Sequence, residues 1–408
     1  MLRCIPVAQV TLGMHVHKLD GSWLEHVFWK SSFLLNRVVD LQRLQASRVQ
    51  GVWIDTLKGC DVMRADPRSQ DQPAKKPDTP KRRAMSSQAD LKGEVAQAVK
   101  VCAFAKIAIT EMFSDLRMGR AFDPTPVATL VGDISQSVLR HPHALISLAR
   151  LKKADEYTYM HSVAVCGLMI ALARQLELSP ACVQEAGMAG LFHDVGKMAI
   201  PDAILNKPAA LTEAEFEIVR GHPEKGADIL RTCPYISAVV VDVCLHHHEK
   251  SDGSGYPHGL LQDQISLFAQ MGAVCDVYDA VTSNRPYKQG WNPADAIQKM
   301  SEWKGQFDAR VFQAFVRCVG IYPVGALVRL ESGRIGVVIK QNPHSLLTPI
   351  VKVFFSARSR LPIMQVVVNL AELPDKIVGR ESAEAWGFQH VDELWSGLAA
   401  TEASHFDP

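Results

Sequence analysis

The chain has 408 residues, 47% hydrophobic and 21% charged, which is enough for more than one domain and a sizeable buried core. With 44 Lys and Arg against 43 Asp and Glu the net charge is +1, which excludes nucleic-acid binding by bulk electrostatics but not a small anion held by a few local cations. No stretch reaches the ~20 apolar residues of a membrane span and the start lacks a signal-peptide core, so a cytoplasmic protein is expected.

In chain order, residues 1–63 predict a small α+β domain. Ile5, Val7, Val10, Leu12, Met14 and Val16 lie among short polar breaks, and Val52-Trp53-Ile54-Asp55 predicts a further strand. A helix is expected within 34–49, with Val38, Leu41, Leu44 and Val49 on one face. Residues 64–90 predict a linker. They hold Pro67, Pro73, Pro77 and Pro80 and the runs Lys75-Lys76 and Lys81-Arg82-Arg83, and burial cannot offset their ordering entropy.

Residues 91–320 read as a helical domain with capping chemistry at several starts: Ser179-Pro180, Thr212 with Glu215, and Asn292-Pro293. From 321 to 408 the pattern becomes β-rich, with strands around Leu327–Ile339, Val351–Phe355 and Met364–Val368, then an acidic, partly disordered tail after Leu373. The fold class is therefore mainly α, with small β-containing regions at both ends. The nine cysteines form no C-x-x-C pair and read as buried reduced thiols.

Chemistry concentrates in the helical region. His193-Asp194 stands in Leu191-Phe192-His193-Asp194-Val195-Gly196-Lys197, with His161 upstream and His222, His246-His247-His248 and Asp276 downstream. Imidazole and carboxylate suit divalent transition metals. A lone histidine in an apolar helix is usually a satisfied core residue. Here His161, His193, His222, His247 and His248 come from separate helical segments, and burying them without a shared counter-charge would be costly. Adjacent His and Asp on a helix point about 100° apart, so Asp194 shares a metal with His193 only by reaching sideways, which frees its second oxygen for another ion. A dinuclear site is expected, with His246 turned away.

His193-Asp194-Val195-Gly196-Lys197 resembles the HD motif of the HD phosphohydrolases. His247-His248-Glu249 followed by Asp252-Gly253-Ser254-Gly255-Tyr256-Pro257, the stretch Ile200-Pro201-Asp202 to Thr212, and the blocks Asp276-Val277-Tyr278-Asp279-Ala280 and Arg285-Pro286-Tyr287-Lys288 are similar to the HD-GYP subfamily. The resemblance covers about 161–320 and implies an HD-type helical bundle that hydrolyses cyclic di-GMP to linear pGpG and, in many members, on to GMP. It implies His161, His193, Asp194, His222, His247, His248 and Asp276 as ligands of two divalent ions, iron or manganese. Asp194 and Lys197 would serve catalysis, with Lys197, Arg285, Lys288 and Tyr256 on the substrate.

Tyr157 stands where some members carry a third-metal glutamate, with Glu156 beside it. Ser251 and Ala309 replace the tryptophan and proline common at those positions. Gly13-Met14, Gly21-Ser22-Trp23-Leu24, Phe28 and Trp29 resemble an uncharacterised domain found before HD-GYP domains. The partners expected are cyclic di-GMP and a second copy or a GGDEF-type protein, without nucleic acid. The alternatives are a degenerate domain that only senses cyclic di-GMP or binds a protein, and a hydrolase of another cyclic nucleotide.

Overall fold

In a computed structural model of the chain, the described residues are 2–19, 32–36, 38–45, 51–60, 87–118, 124–141, 144–146, 157–205, 207, 209–283, 290–342 and 344–397. They form two units, one Met1–Ser87 with Asn342–Leu346 and the other Gln88–Gln341 with Leu347–Pro408.

The first unit carries β1 (Leu2–Pro6), β2 (His15–Leu19), β3 (Phe33–Leu34), α1 (Val38–Gln45) and β4 (Gly51–Asp55). Its strands form an antiparallel sheet in the order β1-β4-β2-β3. Ile5, Val10, Met14, Val16, Leu44, Val52 and Ile54 close the core, with Leu41 packed against it. The helix is shorter than the sequence suggests. Leu34 pairs with His15 in the sheet, so α1 starts only at Val38, which stays exposed. Val49, Gly21–Leu24, Phe28 and Trp29 lie outside the described residues.

The second unit begins with α2 (Ser87–Arg117), whose first turn falls inside the segment expected as linker; residues 61–86 lie outside the described residues. Then follow α3 (Pro124–Arg140), α4 (Tyr157–Gln175), α5 (Pro180–Phe192), a 3-10 turn (Val195–Ala199), α6 (Asp202–Leu205), α7 (Glu213–Arg220), α8 (His222–Arg231), α9 (Ala238–His246), α10 (Leu267–Thr282), α11 (Pro293–Glu302) and α12 (Ala309–Val319). Residues 160–173 of α4 are all buried, because this helix is apolar on every side and α3, α5, α10 and α12 surround it.

The caps form where the sequence places them. Ser179 accepts from Cys182 N at 3.2 Å, Thr212 and Glu215 close a reciprocal capping box, and Asn292 accepts from Ala294 N at 2.9 Å. Such a cap contributes about 1 kcal/mol.

The C-terminal strands β5 (Leu327–Leu330), β6 (Arg334–Asn342), β7 (Ser345–Ser356), β8 (Leu361–Asn369) and β9 (Ile377–Arg380) make one sheet in the order β8-β7-β6-β5-β9. Part of the segment expected as a partly disordered tail is folded, and residues 398–408 lie outside the described residues. β9 pairs with β5, and α13 (Ala383–Trp386) and α14 (Val391–Ser396) follow it. The tail folds because Trp395 is buried among Leu327, Val337 and Ile339, while Trp386 and Phe388 pack on Phe355. The sheet is also tied to the helices: Arg380 donates to Ala294 O at 3.1 Å and Asn292 to Glu381 O at 3.2 Å. No helix among the described residues is long and apolar enough to cross a membrane.

Candidate metal centre

Five pieces of chain meet at one buried point. His161 lies in the first turns of α4, and Asp276 and Asp279 in α10. His193 caps the C-terminus of α5, His222 opens α8, and His247 and His248 follow α9. Two glycines permit the approach. A Cβ on Gly190 would lie 2.9 Å from the backbone of Cys166, so α5 meets α4 backbone to backbone. A Cβ on Gly196 would lie 1.9 Å from His222 O, so the 3-10 turn touches the start of α8.

The local geometry at Asp194 differs from the helical pair expected. The helix ends at Phe192, and Asp194 takes φ −103°, ψ 9°, in the sparsely populated bridge region. Its carboxylate therefore lies beyond the helix end, between two groups of nitrogens. Oδ2 stands 3.3 Å from both His161 Nε2 and His193 Nε2, and Oδ1 stands 3.2 Å from His222 Nε2 and 3.7 Å from His247 Nε2. Asp276 Oδ1 is 3.1 Å from His161 Nε2, and its Oδ2 is 3.9 Å from His248 Nδ1. The donors form two sets, His161, His193, Asp194 and Asp276, and Asp194, His222, His247 and His248, each with ligand atoms within 4.8 Å of one another.

The outer hydrogen bonds set the direction of the inner lone pairs. His193 Nδ1 donates to Gly190 O at 2.7 Å, His222 Nδ1 to Val219 O at 2.7 Å, and His247 Nδ1 to Cys244 O at 3.0 Å. His161 Nδ1 donates to the Asp279 carboxylate at 2.7 Å. With each Nδ1 so committed, Nε2 turns inward, where it can take either a proton or a metal ion. The result is unfavourable without a cation. His193 Nε2 faces His161 Nε2 at 3.2 Å, His222 Nε2 faces His247 Nε2 at 3.4 Å, and the buried Asp194 Oδ1 accepts no hydrogen bond. The donor set fits divalent metal.

The titration pattern points the same way. Burial opposes a proton on His161, but Asp194, Asp276 and Asp279 outweigh it and raise its pKa to about 10. Burial also opposes charge on Asp194 and Asp276, yet Lys197 and His193 hold the first well below the usual carboxylate range, and His161 and His193 the second. Burial lowers His247, and burial with the neighbouring His247 lowers His248 further. In the set with two carboxylates a proton on His161 stands in for a cation and the pKa of His193 is raised, while in the other set the pKa values of His247 and His248 are lowered.

Every residue expected as a ligand lies in this cluster, and His246 points out of it, to Asp242 at 2.7 Å. Lys197 Nζ is 2.5 Å from Asp194 Oδ2. Tyr256 stacks on His248 at 4.7 Å between ring centroids, and the Arg220 guanidinium sits 5.0 Å from its centroid, so its ring is engaged in packing. Arg285, Lys288 and Glu156 lie outside the described residues, as does the side chain of Tyr157. Sequence reasoning missed two residues. Asp279 orients His161, and its signal was a second carboxylate three residues after Asp276 on one helix face. Glu249 is buried and accepts from His258 N at 2.7 Å and Leu260 N at 3.0 Å, which anchors the loop that carries Tyr256.

Comparison with known proteins gives the following likenesses. Residues 138–311 match the model of the HD domain, and residues 2–127 match a domain of unknown function, DUF3391. The chain is 60% identical over 410 residues to the cyclic di-GMP phosphodiesterase PA4108 of Pseudomonas aeruginosa, covering 100% of this chain and 99% of that protein. It is 39% identical over 181 residues to the cyclic di-GMP phosphodiesterase response regulator RpfG of Xanthomonas campestris, covering 42% of this chain and 47% of that protein. Among solved structures it is similar to Bd1817, an HDG"Y"P protein of Bdellovibrio bacteriovorus, with TM-score 0.45, 15% identity, and coverage of 77% of this chain and 98% of that one.

Proposed function

The chain belongs to the HD-GYP family of cyclic di-GMP phosphodiesterases, with an N-terminal domain of unknown function, and on that premise we propose that it hydrolyses cyclic di-GMP to pGpG and onward to GMP with two divalent metal ions. One observation carries the two-ion reading. Asp194 is buried between two sets of imidazole lone pairs, and its Oδ1 accepts no hydrogen bond. A carboxylate so placed would offer one oxygen to each of two ions. His161, His193 and Asp276 would complete one site and His222, His247 and His248 the other. A donor set of imidazole and carboxylate without thiolate fits iron or manganese. Two ions are proposed and not three because Tyr157, a neutral phenol, stands one turn before His161.

Bound there, the ions would supply a water acidic enough to attack phosphorus near neutral pH and positive charge for the departing oxygen. The chain's own residues do the rest. Asp279 fixes the ring of His161, and the three backbone acceptors fix His193, His222 and His247. Lys197, partly exposed beside Asp194, would meet one of the two phosphodiester charges. Arg285 and Lys288 are proposed for the other. With its ring packed, Tyr256 would reach substrate only through its hydroxyl.

The test is turnover of cyclic di-GMP by protein purified without oxygen, with elemental analysis of the same sample. Linear product together with two iron or manganese ions per chain is expected. Binding without turnover would replace the proposal with a sensor, and preferential turnover of a hybrid cyclic dinucleotide would replace the substrate.

A further inference from the structure

A second histidine pair lies outside the central cluster, on the exposed side of the same helix end. His246 Nε2 and His258 Nδ1 face one another at 3.1 Å, with ring centroids 5.3 Å apart. A carboxylate stands behind each ring. Asp242 Oδ1 accepts from His246 Nδ1 at 2.7 Å, and Ser266 Oγ donates to the other oxygen of Asp242. Glu224 Oε1 stands 4.0 Å from His258 Nε2. Asp242 holds a proton on His246 Nδ1, which turns the His246 Nε2 lone pair toward His258 Nδ1. A proton on His258 Nδ1 can meet that lone pair, and a divalent ion can take the proton's place between the two nitrogens.

We propose that His246 and His258 form a separate divalent metal site, of the zinc class, that clips the loop 249–260 to the end of α9. The spacing fits. Tetrahedral zinc with Zn–N of about 2.0–2.1 Å sets its nitrogens about 3.3–3.4 Å apart, and a shift of a few tenths of an ångström in an exposed side chain closes the difference. Two neutral imidazoles suit zinc, copper or nickel. Asp242, itself held by Ser266, supplies the outer carboxylate that orients a ligating imidazole and raises its basicity. His258 is 45% exposed at the side chain, so water can complete the coordination.

The clip has a consequence for the loop. Its other fastenings are Glu249, which accepts from the backbone of His258 and Leu260, and Tyr256, which stacks on His248. An ion at His246 and His258 would add a third fastening between α9 and the segment that carries Tyr256.

The experiment uses the metal-loaded full-length protein and zinc chloride as the probe, in equilibrium dialysis with elemental analysis of iron and manganese in the same samples. The wild type is expected to take up one zinc per chain beyond its resident metals. His258→Ala and His246→Ala should each lose that equivalent with iron or manganese content unchanged, and Asp242→Asn should weaken it ten- to hundredfold. Zinc should slow amide exchange in 249–260 of the wild type and not of His258→Ala. Equal zinc uptake by the wild type and His258→Ala overturns the site and leaves a plain hydrogen-bonded pair. Because the resident metals and the turnover are read separately, that outcome is distinguishable from failure of the proposed phosphodiesterase activity.

Discussion

His246 and His247 are neighbours at the end of α9, and each presents Nε2 to a second imidazole nitrogen, at 3.1 Å in one pair and 3.4 Å in the other. Their surroundings are opposite. His247 is 1% exposed and shares its space with Asp194, whereas His246 meets His258, a side chain 45% exposed. Donor type is the same in both places, so donor type does not separate them. Burial and the shared carboxylate do. Water can satisfy an exposed lone pair, but nothing except a cation satisfies facing lone pairs in a dry interior. The inner cluster is therefore expected to hold its metals through purification and the outer pair to exchange its ion freely.

The comparison breaks most severely at the shared carboxylate. Asp194→Ala should reduce turnover to that of a metal-free control and empty both inner sites, as elemental analysis would record; full metal content with normal turnover would refute the bridging role. Asp279→Asn should lower inner-site metal affinity or turnover about ten- to hundredfold, because it weakens the group that orients and charges His161. Measured affinity equal to wild type would show that the hydrogen bond at His161 has no such role.

Arg285→Ala and Lys288→Ala test cations that should touch substrate and not metal. Each should cost about 1.5–3 kcal/mol in kcat/KM with metal content unchanged, the usual worth of a hydrogen bond to a charged group. An unchanged kcat/KM in both would remove them from the site.

Proton release gives a further test. The pKa of His161 is raised to about 10, above its unfolded value, so its proton stabilises the metal-free fold fully below the unfolded pKa and that contribution is lost as pH rises through about 10. Metal must displace this proton, so loading the metal-free protein at pH 8 should acidify a weakly buffered solution, and metal affinity should rise with pH. Uptake without proton release would contradict the charge state assigned to His161. The smallest effect is expected next door: His246→Ala should keep both inner ions and wild-type turnover, and cost about 1 kcal/mol of stability, the worth of its hydrogen bond to Asp242.

The residue types and their order were readable because metal chemistry restricts them: imidazoles and carboxylates embedded in apolar helices have few other reasons to recur. The helical centre was readable from periodicity and caps, and Ser179, Thr212 and Asn292 start helices as their chemistry dictates. The folded part of the C-terminal tail was not legible in its acidic composition, because the burial of Trp395 against Leu327 and Ile339 depends on strands paired far away in sequence. Asp279 was quoted within its block, but nothing in one dimension says which His it will face.

By itself, then, the sequence determined the donor inventory, the helical class of the central region and the separation of His246 from the ligands. Only the tertiary structure decided that Asp194 leaves the helix to stand between two nitrogen sets, that Asp279 orients His161, and that His258 reaches back to His246. The physical reason is range. Caps and periodicity act within a few residues, whereas these three arrangements join side chains 12 to 118 positions apart or depend on backbone contacts such as Gly196 against His222, which form only when the helices pack.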